Sequence, residues 1–393
     1  MKKIIIAAAL AVLVMVPSCK NFMRGKVAQE DTLVVEEPVF IPLEEDRLLD
    51  DTARILAGME VSDSSSLADW MAKPFWQRHK SEMDRMWATC RETLDKVDTF
   101  AITDIKDINE KAERVFYPFS GPDFPYCASF FPKPKEYWFM ALEKTGTIPV
   151  MDRMNEYTFN MYRNAMDVHL RTSYFITNEM DKDLANKTID GTIPILMVLI
   201  ARMDFHIASI TYMSLGDDAK LIPTEDGKPG DAVRIEYFNR EENEMRTLYY
   251  LYANLRDEFV LDKTRALIDT FDPATTAGYT KSCSYCMHKP HFSKTRNAML
   301  EHAFAVVQDD TGVPYKDYLP ELWDVTLYGG YSHPLACFEA YTYQKDLVAI
   351  YAKGEGIHPL NFKHGYMRNS TLMVARRKTQ VQPAAEPENK PAE

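Results

Sequence analysis

Met83, Met86, Trp87, Cys90, Leu94 and Val97 recur at three- and four-residue intervals. That spacing predicts an amphipathic helix over 75–97. A similar pattern runs through MDRMNEYTFNMYRNAMDVHL, with Met154, Tyr157, Met161 and Met166 near one face. GTIPILMVLIARM reads as a helix, with Pro194 in the first turn, where a missing N–H costs little. RVFYPFSG, EYWFMALE (136–143) and HIASITYMSL read as strands. AVRIEYF and RTLYYLYANL flank the polar turn NREENE, which predicts a β-hairpin. DEFVLDKTRALIDTF reads as a further helix. GYTKSCSYCMH, FSKTRNAMLEHA and FAVVQDD then run strand, helix, strand. That order predicts a βαβ unit with parallel pairing and a right-handed crossover. Strands and helices alternating along the chain predict an α/β or α+β fold, a layered sheet with flanking helices.

The two ends do not follow this pattern. Lys2 and Lys3 precede an unbroken apolar run from Ile4 to Val16. The run is shorter than the roughly 20 residues that span a bilayer, so it reads as an export signal. It ends in Val16-Pro17-Ser18-Cys19, which resembles a bacterial lipobox, with Pro17 departing from the usual small residue. The resemblance implies cleavage before Cys19 and acyl chains such as palmitate on its thiol. Each buried methylene would add about 0.8 kcal/mol of membrane affinity. EDTLVVEEPVFIPLEED (30–46) carries seven acidic residues, two prolines and no basic residue, and reads as an extended tether. QVQPAAEPENKPAE (380–393) has almost nothing to bury and reads as a disordered tail. The expected organisation is a signal over 1–18, a tether over 19–46, one mixed domain over 47–378 and a tail over 379–393.

Composition narrows the partners. A net charge of -12 argues against nucleic acid. No motif calls for a cofactor. Export places the thiols where cysteines tend to pair, and five remain after Cys19: Cys90, Cys127, Cys283, Cys286 and Cys337. CSYCMHKPH (283–291) could be read as a zinc or redox motif. Four ligands within nine residues, with no distant second half, are unlike the usual zinc spacing. If 278–286 is a strand, Cys283 and Cys286 lie about 10 Å apart on opposite faces. A disulfide needs Cα atoms within about 7 Å. The expectation is therefore buried thiols and no metal.

Candidate chemistry gathers at predicted strand ends, where α/β folds bind ligands. His288, His291 and Arg296 lie at one strand-to-helix junction, and Asp309 and Asp310 end the following strand. Asp123 follows the first strand in SGPD, and Glu143 ends the second. His333 tips the loop LYGGYSHP. Imidazoles beside carboxylates would suit general acid/base work. Asp309-Asp310-Thr311-Gly312 and Ser120-Gly121-Pro122-Asp123 are also good turn sequences. The strand, turn and Glu143 resemble the nucleotide-binding start of a Rossmann-type methyltransferase. The departure is the loop, which holds one glycine, Gly121, among Phe, Pro and Tyr.

FYPFSGPDFPYCASFFP, DLANKTIDGTIPIL, KSCSYCMH with FSKTR, and VVQDDTGVPYKDY together resemble a group of exported lipoproteins from Bacteroidota and similar bacteria. The resemblance implies location and a shared fold, and carries no reaction. Two expectations follow. One is a lipid-anchored envelope protein that binds a glycan, peptide or partner protein through an aromatic-rich surface. The other is an envelope hydrolase acting through the His288/His291 and Asp309/Asp310 region. Lys20-Asn21-Phe22-Met23-Arg24 follows Cys19, with no acid until Glu30. Surface-exported lipoproteins of that group carry acids there, so the expected place is the periplasmic face of the outer membrane rather than the cell surface. Cys19→Ser is expected to release the protein into the soluble fraction of a membrane sedimentation while its body still folds. Sedimentation unchanged from wild type would refute the anchor.

Overall fold

The computed structural model describes residues 42–172, 190–338, 342–366 and 370–378. Cys19, the export signal, most of the tether and the tail lie outside the described residues. In chain order the helices are α1 (Arg47–Leu56), α2 (Pro74–Thr103), α3 (Lys106–Lys111), α4 (Phe124–Phe130), α5 (Glu156–Thr172), α6 (Ile193–Arg202), α7 (Asp262–Ile268), α8 (Ser293–His302) and α9 (Lys345–Lys353). The strands are β1 (Arg114–Pro118), β2 (Glu136–Ala141), β3 (His206–Leu215), β4 (Leu221–Pro223), β5 (Ala232–Asn239), β6 (Glu244–Tyr252), β7 (Thr276–Thr280), β8 (Ala305–Gln308), β9 (Trp323–Gly329), β10 (Ile357–His358) and β11 (Thr371–Arg377).

All these strands join one sheet in the order β10-β9-β11-β8-β7-β1-β2-β6-β5-β3-β4. The centre is parallel, from β8 through β7, β1 and β2 to β6. β11 inserts antiparallel between β8 and β9. β5, β3 and β4 extend the other edge as antiparallel strands. The fold is an α/β layered sheet with flanking helices, as the patterning predicts. It contains the expected hairpin, β5–β6, and the expected parallel unit, β7–α8–β8.

Alternation along the central strands sends side chains to two cores. Val115, Tyr117, Tyr137, Phe139, Ala277 and Tyr279 face the core built with α1, α2, α4, α5 and α6. Phe116, Trp138, Met140 and Val306 face the opposite core, with Leu267, Ala298 and Met299 of α7 and α8. Helix α2 runs past the predicted 97 because its stripe continues to Phe100 and Ala101. Pro74 opens it, where φ near −65° is already helical. Every residue of α6 from Ile193 to Ala201 is buried, so its apolar surface runs all round. Among the described residues no helix is long and apolar enough to cross a membrane.

Two boundaries differ from the sequence reading. The last residues of the expected tether are tied to the body. The Leu43 amide donates to Asn243 Oδ1 at 2.7 Å, the Asp46 amide donates to Ile207 O at 3.0 Å, and the Asp46 carboxylate caps α1. The strand expected over 278–286 stops at Thr280. Ser282, Ser284 and Tyr285 each adopt left-handed φ, which no strand tolerates.

The segment after β2 is fixed by a close backbone crossing. Gly146 and Gly191 both have positive φ, and a Cβ on Gly146 would sit 1.7 Å from Asp190 O. The Thr147 amide donates to that same oxygen at 2.9 Å, and the Thr192 amide donates to Lys144 O at 2.9 Å. Only glycine fits here. Gly146→Ala is expected to cost about 2–4 kcal/mol through overpacking and backbone strain. Urea denaturation checks it, and a loss under about 0.5 kcal/mol, the ordinary surface range, would show that the crossing can relax.

Candidate functional site

The parallel strands create a switch point. From β1 the chain passes to β2 on one side, and it returns later as β7 on the other. Ligands in open α/β sheets bind in the crevice beyond the carboxyl ends at such a point. A cleft of about 580 Å³ opens there. Its walls come from the turn after β1, the residues after β2, the turn after β7, the segment from Leu335 to Phe338, and Tyr366.

The floor is a buried ion pair. Lys281, the first residue after β7, places Nζ 2.8 Å from Asp123 Oδ2. Both side chains are almost fully buried. Tyr117 OH donates to the same carboxylate at 2.8 Å, and Lys281 Nζ lies 3.4 Å from the Tyr126 ring centre. His169 Nε2 approaches Asp123 Oδ1 at 3.7 Å. Burial pushes the Asp123 carboxyl up to about 6, although Lys281 and Tyr117 pull it back. Burial likewise lowers the Lys281 ammonium, and Asp123 opposes that fall. Burial also holds His169 well below the usual imidazole range, which keeps it neutral.

The wall after β7 is a folded turn. Asp309 Oδ2 accepts from the Ser282 amide at 2.9 Å, while Oδ1 accepts from the Thr311 amide at 3.0 Å and its hydroxyl at 2.5 Å. The Cys283 amide donates to Thr311 Oγ1 at 2.9 Å, and its thiol donates to Thr311 O at 2.9 Å. Tyr366 OH donates to Ser282 O. These bonds hold the left-handed residues in place. The turn also corrects the premise about the cysteines. Cys283 and Cys286 lie within one turn, closed by a 3.0 Å bond from the Cys286 amide to Cys283 O, and not on opposite faces of a strand. Cys283 is buried core, as expected, whereas Cys286 is half-buried at the cleft wall. Both are free thiols, and burial raises both, Cys286 to about 11. Among the described residues no cluster of His, Cys, Asp and Glu could hold a metal ion.

The structure does not bring the sequence candidates together. Asp123 and Glu143 line the cleft. His288 instead lines a separate pocket of about 310 Å³ with Tyr315, Lys316 and Gln344. Burial pushes its imidazole down to about 4. His291 is exposed on the surface, and its backbone carbonyl holds the Asp257 amide. Arg296 does not face the cleft. Its Nη1 donates to Met287 O at 2.8 Å and its Nε pairs with Asp317 at 3.2 Å, so it braces the turn. Asp309 is the turn organiser just described. Asp310 is sealed under the Tyr285 hydroxyl, which donates to it at 2.5 Å. His333 is exposed and bonds its neighbour's carbonyl, Pro334 O, at 2.8 Å. Lys281 is the site residue that sequence reasoning missed. Its one signal was a lone charge inside the otherwise uncharged stretch AGYTKSCSYCM.

No family model, curated protein or solved structure matches this chain.

Asp310 offers a titration that can be read. Burial and the neighbouring Asp309 charge raise its carboxyl to about 7, from 3.8. Between those values the folded state holds a proton that the unfolded state has lost, so this group's contribution to stability falls as pH rises. Asp310→Asn keeps an acceptor for Tyr285 and removes the charge. The melting temperature of Asp310→Asn relative to wild type is expected to climb from pH 4 to pH 7 and level off above. A pH-independent difference would mean that Asp310 does not titrate in this window.

Proposed function

We propose that this chain is a lipid-anchored protein of the bacterial envelope, held at the outer membrane through Cys19, whose body binds a small ligand in the switch-point cleft. The observation that carries the binding reading is the cleft itself. Its volume falls within the roughly 300–1,000 Å³ of small-molecule sites. Phe119, Leu142, Leu335 and Phe338 supply apolar wall, and Ser120, Glu143 and Ser284 add a few polar groups. That mixture suits a ligand with an apolar or ring face and hydroxyls, the size of a short glycan or peptide. The lipid anchor rests on the lipobox-like end of the apolar run. The periplasmic side rests on the absence of acids just after Cys19.

A hydrolase built from His288, His291, Asp309 and Asp310 is the weaker reading. General acid/base groups must reach one reacting atom within about 3 Å. His288 and His291 lie in different surroundings, and the Asp309 and Asp310 carboxylates are already engaged by Thr311 and by Tyr285.

Leu142 is 53% exposed at the cleft mouth, so Leu142→Trp should narrow the cleft without disturbing the core. Native mass spectrometry after incubation with the small-molecule fraction of a bacterial envelope extract is expected to show a retained mass on the wild type. The variant is expected to lose most of it. No retained mass, or equal retention by both proteins, defeats the binding reading.

A further inference from the structure

We propose that Cys283 and Cys286 are a dithiol that closes to an intrachain disulfide, a covalent latch across the turn that forms the cleft wall after β7. In this structure both are free thiols. Closure needs only this turn and a disulfide oxidant. Its occurrence in the cell rests on the export reading above, which places the chain where cysteines pair.

The turn supplies the geometry. Ser284 and Tyr285 both hold a φ of 53°, and the Cys286 amide donates to Cys283 O at 3.0 Å. Left-handed backbone at both central residues is the type I′ turn, whose first and fourth Cα atoms lie within about 7 Å. A disulfide spans Cα atoms about 4.4–6.8 Å apart. A strand through 278–286 would have set the two thiols on opposite faces, and the turn removes that barrier. The two sulfurs also sense each other. Burial raises the Cys283 thiol, and Asp309 and then Cys286 push it further up. The Cys283 thiol donates to Thr311 O at 2.9 Å, so closure swings its sulfur off that carbonyl by rotation about one side-chain bond.

The turn also has a use for the bond. Neither Ser284 nor Tyr285 has the freedom of glycine, so left-handed backbone costs both of them energy. The Ser282 amide on Asp309 and the Cys283 amide on Thr311 hold one end of the turn. A bond across both ends would remove open conformations from the unfolded chain. Cys286 is half-buried on the cleft wall, so its thiolate meets the oxidant first. It attacks one sulfur of glutathione disulfide and expels a glutathione thiolate. The Cys283 thiolate then attacks the Cys286 sulfur and expels the second. The oxidant's S–S bond breaks and the protein's forms, and the two thiol protons and two electrons end on two glutathione thiols. Burial lifts the Cys286 thiol to about 11, which slows the first attack at neutral pH, so the exchange must be followed to equilibrium.

The full chain, purified under reducing conditions, is equilibrated with excess glutathione disulfide, quenched in acid, unfolded and alkylated. Mass spectrometry is expected to show two fewer alkylated thiols than in the reduced chain, and a peptide in which Cys283 is joined to Cys286. The oxidised chain should melt above the reduced chain, and Cys286→Ala should lose that difference. The wild-type peptide map decides even where that variant folds poorly. A bond from either cysteine to Cys90, Cys127 or Cys337 overturns the proposal. So does a glutathione left on Cys286, or both thiols still free, or an oxidised chain that melts no higher than the reduced one. Chain taken from cells by acid quench supplies a second arm. If the purified chain closes but the cellular chain is reduced at both positions, the latch stands and the export reading fails.

Discussion

The Lys281–Asp123 pair is the constraint on which the rest of the site depends. Each charge would be costly to bury alone, and breaking such a pair by removing one partner typically costs about 3–5 kcal/mol. The pair joins the turn after β1 to the end of β7, so it fixes the two strands on either side of the switch point. Tyr117 from β1, Tyr126 from α4 and His169 from α5 pack against the two charges. The cleft above therefore inherits its width from an electrostatic bond below it. Its neighbouring wall is set in the same way, by Asp309 gathering the Ser282 and Thr311 donors.

These buried charges are tolerable because the layers around them are apolar and well filled. One face of the sheet carries α1 to α6, the other carries α7 and α8, and α9 packs against β9 and β11. Aromatic rings pack edge to face close beneath the cleft, as with Tyr117 against Tyr279 at 4.6 Å and Phe124 against Tyr237 at 5.3 Å. Such pairs add about 0.5–1.5 kcal/mol beyond burial and resist shear. A rigid floor under an open mouth suits selective binding, since little ordering is needed when a ligand arrives.

Local patterning made most of the layers legible. The α2 stripe, the apolar run of α6 and the β5–β6 hairpin each announce themselves within a single segment. The end of β7 did not. Ser282, Ser284 and Tyr285 take left-handed φ without the Gly or Asn that normally marks it, because distant partners, Asp309, Thr311 and Tyr366, impose it. The site was half legible for the same reason. Asp123 and Glu143 sit at strand ends that the sequence reveals. Lys281 matters only through a partner far away in the chain, and spacing carries no trace of such a pairing. The turn reading of Asp309-Asp310-Thr311-Gly312 proved the informative one, since the Asp309 carboxylate gathers backbone donors and the Asp310 carboxylate takes the Tyr285 hydroxyl.

The insertion of β11 between β8 and β9 has a consequence in time. A chain emerging from its N-terminus makes β8 and β9 first, and neither bonds to the other in the finished sheet. Until β11 arrives, both present open edges that invite foreign strands. The β7–β8 unit can form early, but the β9–β10 flap has no berth. Closure of the sheet is thus a late, non-local event, of the kind that slows folding. A chain with this strand order has reason to be kept unfolded, or escorted, until its final strand is in hand.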